Sequence, residues 1–121
     1  MPGPVGPYSP FVRAGDLVVT SGQLGLDHSD GPPALVDGGT AAQLAQALRN
    51  GATVLAQAGA RPDQVVKATV FLVDMADFAA CNEVWTEFFK DHRPARTAIG
   101  VASLPLGARV EVELWAHTPA S

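Results

Sequence analysis

Arg96, which follows Pro94 and Ala95, and the alternating run 109–116 hold the side chains most able to do chemistry in this sequence. A guanidinium presents a planar fork that grips a carboxylate through two hydrogen bonds, a geometry lysine does not reproduce. Pro94 fixes its own φ, so the arginine stem leaves a rather rigid base. In the run 109–116, Val110, Val112 and Leu114 alternate with Arg109, Glu111, Glu113 and Trp115. A strand there projects two carboxylates from one face. A fixed cation beside a strand carboxylate is the outline of a site for a small acid. Two plainer readings stand next to it: an open sheet face with solvated glutamates, and a structural ion pair of Arg96 with Asp91 or a strand glutamate. Trp115 on the carboxylate face weighs toward an interface or a cleft.

Other reactive side chains suggest little. Cys81 is the only cysteine, so an internal disulfide and a C-x-x-C motif are both excluded. It sits on an apolar helical stripe and reads as a small buried hydrophobe. His28, His92 and His117 have no spacing that suggests a metal. The eight basic residues are scattered through a chain of net charge −4, which argues against a nucleic-acid surface, because polyanion affinity comes mainly from clustered Lys and Arg. No run approaches the roughly 18 apolar residues of a membrane span, and residues 1–7 carry neither a basic leader nor an apolar core. A soluble protein of the cytoplasm is the expectation.

The elements that must position Arg96 and Glu111 follow from periodicity. With 121 residues, 47% of them hydrophobic, the chain has the length of a single domain over 1–121, with a core of about 6–116 and short flexible ends. Residues 1–10 are rich in Pro and Gly and enter extended, and 17–21 reads as a buried strand. The stretch 25–39 is a turn-rich connection with Pro32-Pro33 and Asp30-Gly31, holding a short strand near Leu35 and Val36. Thr40-Ala41-Ala42-Gln43 has the form of a capping box. The helix that follows buries Leu44, Leu48, Gly51, Leu55 and Ala58 and ends at Gly59. Gly51 in that stripe implies close packing on a sheet. Residues 65–73 form the longest β-prone run, so they are expected as a central strand covered on both faces. Asp74 or Asp77 caps a second helix along which Phe78, Cys81, Trp85 and Phe88 recur. Strands at 97–101 and 109–116 close the chain around a turn at 104–107.

This order predicts an α+β fold with two helices packed on one face of a mixed sheet. No third helix covers the opposite face, so a second copy of the chain in a closed symmetric oligomer is the simplest cover.

The segments Gly6-Pro7-Tyr8-Ser9, Val19-Thr20-Ser21-Gly22-Gln23, 38–43, 65–78, Asn82-Glu83-Val84, Pro94-Ala95-Arg96-Thr97 and 104–113 together resemble the RidA family, also called YjgF or the L-PSP endoribonuclease family. The likeness runs in order from about Gly6 to Ala116. It implies a chorismate-mutase-like α+β subunit in a barrel-like homotrimer, with ligand sites in the clefts between subunits. It also implies cofactor-independent hydrolysis of reactive 2-imino and enamine acids to 2-keto acids and ammonia. By the same resemblance Arg96 holds the substrate carboxylate and Glu111 assists the attacking water. Tyr8, Asn82 and Pro105 line the pocket, Ser21 and Gly22 form its backbone wall, and Ala98 offers a backbone N–H. Ala98 stands where many relatives carry Cys, so a thiol takes no part at that position.

The chemistry agrees with these roles. A 2-imino acid has a carboxylate needing a cation and a C=N carbon needing water. Two other classes compete: a non-catalytic trimer that only binds small carboxylates or acts as a chaperone, and the ribonuclease or translation inhibitor of the family name. Retention of Glu111 favours an enzyme, and the acidic charge balance counts against RNA.

Overall fold

The structure is a computed structural model and describes residues 6–29 and 31–119. The expected extended entry at 1–5 and the Asp30 half of the Asp30-Gly31 turn lie outside the described residues. Five strands form the main path of one sheet: β1 (Phe11–Ala14), β2 (Leu17–Thr20), β6 (Val65–Leu72), β7 (Ala95–Gly100) and β8 (Val110–His117), in the spatial order β1-β2-β8-β6-β7. The short β3 (Gln23–Leu24) also pairs with β8, and β4 (Leu26–Asp27) pairs with β5 (Ala34–Leu35) in a separate ribbon. Among the described residues only β6 and β7 run parallel; the other pairs are antiparallel. The two helices, α1 (Gly39–Gln57) and α2 (Phe78–Phe89), pack on each other and on one face of this sheet. The fold is thus the mixed-sheet α+β arrangement expected from the order of elements.

The core lies between that face and the helices. Val110, Val112, Leu114 and Ala116 of β8 are buried with Ala68, Val70 and Leu72 of β6 against Leu44, Ala47, Leu48 and Leu55 of α1. Gly51 packs closely on β8, for a Cβ there would stand 2.7 Å from Leu114 Cδ1. The central strand β6 is covered on one face only; Lys67, Thr69 and Phe71 remain half-buried on the other. On that open face Val12, Ile99 and Trp115 are exposed too.

Several local expectations change. A strand at 11–14 pairs with β2 across a two-residue turn in which Gly15 takes a φ of 60°, a conformation glycine adopts freely. β2 ends at Thr20, one residue early, and β7 begins at Ala95, so Arg96 lies inside a strand and not ahead of one. On α2 the buried residues are Cys81, Trp85 and Phe89, with Phe88 only partly buried. The capping box is absent. Gly38 and Gly39, both at positive φ, start α1 so that Thr40 already lies within its first turn. Its hydroxyl donates to Asp77 Oδ2 (2.6 Å) and accepts from Arg109 Nε (2.9 Å), and Gln43 Oε1 accepts from the Arg109 N–H (2.9 Å). Arg109 also pairs with Asp77 at 3.2 Å. These bonds, that from Thr40 first, hold the Asp77 carboxyl below its ordinary pKa and fasten the entry of β8 to the starts of both helices. Arg109 therefore does not join Glu111 on the open face.

The segment joining β3 to β4 is pressed on α1. Asn50 donates to the carbonyls of Leu24 (3.1 Å) and Leu26 (2.9 Å), and a Cβ on the intervening Gly25 would lie 2.4 Å from the Gln43 carbonyl oxygen. Helix backbone does not yield as a side-chain tip does. Gly25→Ala should lower the unfolding free energy by about 1–3 kcal/mol, the range of overpacked core sites. Urea unfolding measures it, and an unchanged midpoint would contradict this packing.

Candidate active site

The alternation of side chains along β6, β7 and β8 sorts the candidate residues into two groups. In the parallel pair Arg96 is in register with Ala68, and Ala98 with Val70, so both share the face that meets the helices. In the antiparallel pair Glu111 is in register with Phe71, and Glu113 with Thr69, which places both carboxylates on the open face. Within one chain Arg96 and Glu111 therefore lie on opposite faces of the sheet.

The first group surrounds Arg96 at the free edge of β7. Its guanidinium carbon lies 5.2 Å from the centre of the Phe78 ring and 5.1 Å from that of Trp85, a distance at which the ring faces attract a cation. Among the described residues it has no ion pair or hydrogen-bond partner, neither Asp91 nor a glutamate. Ring contact holds the group while leaving its N–H edges for a ligand. An open cleft of about 400 Å³ lies here, lined by Asn82, Trp85, Thr86, Arg93, Pro94 and Arg96. The Asn82 Oδ1 atom is buried without a hydrogen-bond partner among the described residues. Ala98 adds a backbone group: Val101 N–H donates to Leu72 O (2.8 Å), so by alternation the N–H of Ala98 turns away from β6, toward the open edge.

The second group surrounds Glu111. Gly22 is packed against it so closely that a Cβ would stand 2.4 Å from Glu111 Oε2; only glycine leaves that carboxylate its place. Ser21 ties this wall to the N-terminal arm, with its hydroxyl donating to Ser9 O (2.6 Å) and its N–H to Pro10 O (2.9 Å). The arm carries Tyr8, whose ring is largely exposed. Burial, followed by repulsion from Glu113, pushes the Glu111 carboxyl above its ordinary pKa, which moves it toward the range useful to a base near neutral pH.

Pro105 belongs to neither group in the chain; it opens an exposed helical turn, Pro105–Gly107, between β7 and β8. Cys81 is buried in the core with its thiol pushed up mainly by burial, as its place on the apolar stripe suggested. Among the described residues no cluster of His, Cys, Asp or Glu has the makings of a metal site. Sequence reasoning placed Phe78 and Trp85 on an aromatic helix face, and both do pack at the core, but it missed that their rings also seat Arg96, and it missed Thr86 and Arg93. The signal was present, because Phe78, Asn82 and Trp85 stand at i, i+4 and i+7 on one helix face.

Comparison with known proteins extends this picture. The family described as Endoribonuclease L-PSP matches residues 1–118. A human protein named 2-iminobutanoate/2-iminopropanoate deaminase is 46% identical over 112 residues, which span 93% of this chain and 80% of the human one. The crystal structure of RidA from an Antarctic Psychrobacter bacterium matches with a TM-score of 0.89 and 40% identity, over 96% of this chain and 92% of that one. That of E. coli TdcF with bound serine matches with a TM-score of 0.87 and 34% identity, over 96% and 91%.

The Glu111–Glu113 pair supplies a direct test of the second group. A carboxyl whose folded pKa exceeds its unfolded value holds its proton more tightly when folded, so it costs stability as pH rises from the unfolded pKa through the folded one. Glu113→Gln removes one of the two causes. The Glu111 titration midpoint, followed by carboxyl-carbon NMR, should move down in that variant and still lie above the ordinary value because burial persists. A midpoint that does not move would contradict the coupling.

Proposed function

The chain belongs to the Endoribonuclease L-PSP family, and from that premise we propose that it is a cofactor-independent deaminase, hydrolysing reactive 2-imino acids and their enamine tautomers to 2-keto acids and ammonia. The observation that carries this reading is Arg96: a guanidinium seated on two aromatic rings, without a carboxylate partner among the described residues, facing a cleft. Such a group suits the carboxylate next to a C=N bond. The Ala98 N–H at the same edge suits a second carboxylate contact, and the unpartnered Asn82 oxygen suits the substrate N–H.

Glu111 supplies the base. Because it stands on the other sheet face, the working site takes Arg96, Asn82 and Ala98 from one chain and Glu111, Gly22, Ser21 and Tyr8 from a neighbour, in a closed ring of three copies. The exposed Val12, Ile99 and Trp115 favour such a cover on the open face. In the reaction, Glu111 takes a proton from water as its oxygen bonds to the imine carbon. The C=N π pair moves to nitrogen, which gains a proton, and a carbinolamine results. Collapse of the carbinolamine restores C=O, breaks the C–N bond and releases ammonia, so one water enters and one ammonia leaves. A raised carboxyl pKa makes Glu111 a stronger base for the proton of the attacking water. Imines hydrolyse unaided, so positioning together with acid–base assistance of about 10²–10⁴-fold suffices.

Imines generated in situ by an amino-acid oxidase and trapped with semicarbazide test this. The protein should suppress the trapped adduct in proportion to its concentration. Arg96→Ala and Glu111→Gln should each lower the rate by about 10²-fold or more, while Cys81→Ser leaves it nearly intact. Binding of keto acids without any suppression would instead leave a carboxylate-binding trimer. RNA cleavage that survives Arg96→Ala would point to the ribonuclease of the family name.

A further inference from the structure

The cleft beside Arg96 contains a second cation that the hydrolysis of a simple 2-imino acid does not use. Arg93 lines it with Arg96, Asn82, Trp85, Thr86 and Pro94. No acidic side chain lies in that lining, although Asp and Glu outnumber Lys and Arg by 12 to 8 in the chain. Two guanidinium groups three residues apart repel each other until an anion lies between them. Among the described residues Arg93 pairs with no carboxylate: its Nη1 donates to the carbonyl oxygens of Lys90 and His92 just past the end of α2. That anchorage holds the planar fork near the cleft mouth and leaves its remaining N–H groups, of the five a guanidinium carries, for another acceptor. Pro94 between the arginines fixes one backbone angle, and β7 begins at Ala95. The two stems therefore leave a constrained segment about 10 Å long.

We propose that the preferred substrate carries two carboxylates, the one beside the C=N bond held by Arg96 and the distal one by Arg93. This rests on the deaminase reading and narrows it to imines of acidic amino acids. The reaction that supplies the substrate is then either the two-electron oxidation of an amino dicarboxylate by a flavin or nicotinamide acceptor or the loss of water from a β-hydroxy amino dicarboxylate, and the product is a 2-keto dicarboxylate. The cleft, at about 400 Å³, has room for the longer acid. Arg93 is exposed, so its contribution falls at the low end for charge-assisted bonds, about tenfold in affinity.

The test is calorimetric titration of the full chain at low ionic strength with 2-oxoglutarate and with 2-oxobutanoate. The dicarboxylate should bind about tenfold more tightly. Arg93→Gln should reduce that ratio to about one to two, and Arg93→Lys, which keeps the charge without the fork, should retain part of it. Equal or weaker binding of 2-oxoglutarate by the wild type overturns the proposal, as does a ratio that Arg93→Gln leaves unchanged. Trapping assays with the imines of glutamate and of 2-aminobutyrate separate the two levels. Turnover of both without preference for the glutamate imine overturns the second-carboxylate site and leaves the deaminase standing. Turnover of neither, with the Arg93-dependent preference for 2-oxoglutarate intact, overturns the deaminase and retains the site.

Discussion

The period-two pleat of three neighbouring strands decides where chemistry can occur in this protein. β7 lies parallel on β6 with Arg96 opposite Ala68, and β8 lies antiparallel on β6 with Glu111 opposite Phe71. Ala68 faces the helices and Phe71 faces away, so the cation and the carboxylate point to opposite sides of one sheet. A single-residue slip in either pairing would turn every side chain on that strand over. The buried Val70–Val112 and Ala68–Leu114 pairs resist such a slip, because they would be driven out of the core. The core thus sets the positions of two groups that lie outside it.

Each of the two groups is held by a different device. Arg96 is kept in place by rings and not by an opposing charge, so its full charge remains for a ligand. A surface guanidinium fixed by an internal carboxylate would have to lose that partner before binding substrate. Glu111 is kept in place by an absence: Gly22 has no side chain, and the carboxylate fills that space. The same crowding, with Glu113 two residues on, raises its pKa. Both devices depend on contacts between elements distant in the chain, which is why the Arg109–Thr40–Asp77 bonds matter to the site. They fasten the start of β8 to the starts of α1 and α2, on which the Arg96 platform is carried.

Much of the fold was legible in the sequence because it follows local periodicity. The alternation at 110–115 gave the two faces of β8 correctly, and Gly51 within an apolar stripe marked a close contact of helix and sheet. The errors came where distant partners override local pattern. Thr40 and Gln43 have the spacing of a cap, yet Thr40 bonds to groups 37 and 69 residues away. Arg109 fits the alternation, but its side chain is taken by the helix starts. Phe78 and Trp85 read as an aromatic helix face, and they do pack at the core, but apolar spacing does not reveal that a cation lies over their rings. The strand register was not legible at all, for no local pattern tells that β7 runs parallel to β6 and sends Arg96 away from Glu111. The proposed residue roles and the proposed intersubunit cleft came from the likeness to a known family, not from these patterns.

The central claim is that the working site is shared, with Arg96 from one chain and Glu111 from the next. Refolding Arg96→Ala and Glu111→Gln chains together in equal amounts tests it most directly. Each variant alone should be nearly inactive in imine trapping. In randomly mixed rings about one site in four receives Arg96 and Glu111 intact from two neighbours, so about a quarter of wild-type activity should return. If the mixture, shown by native mass spectrometry to contain both chains in one ring, stayed as inactive as its components, the shared site would be contradicted.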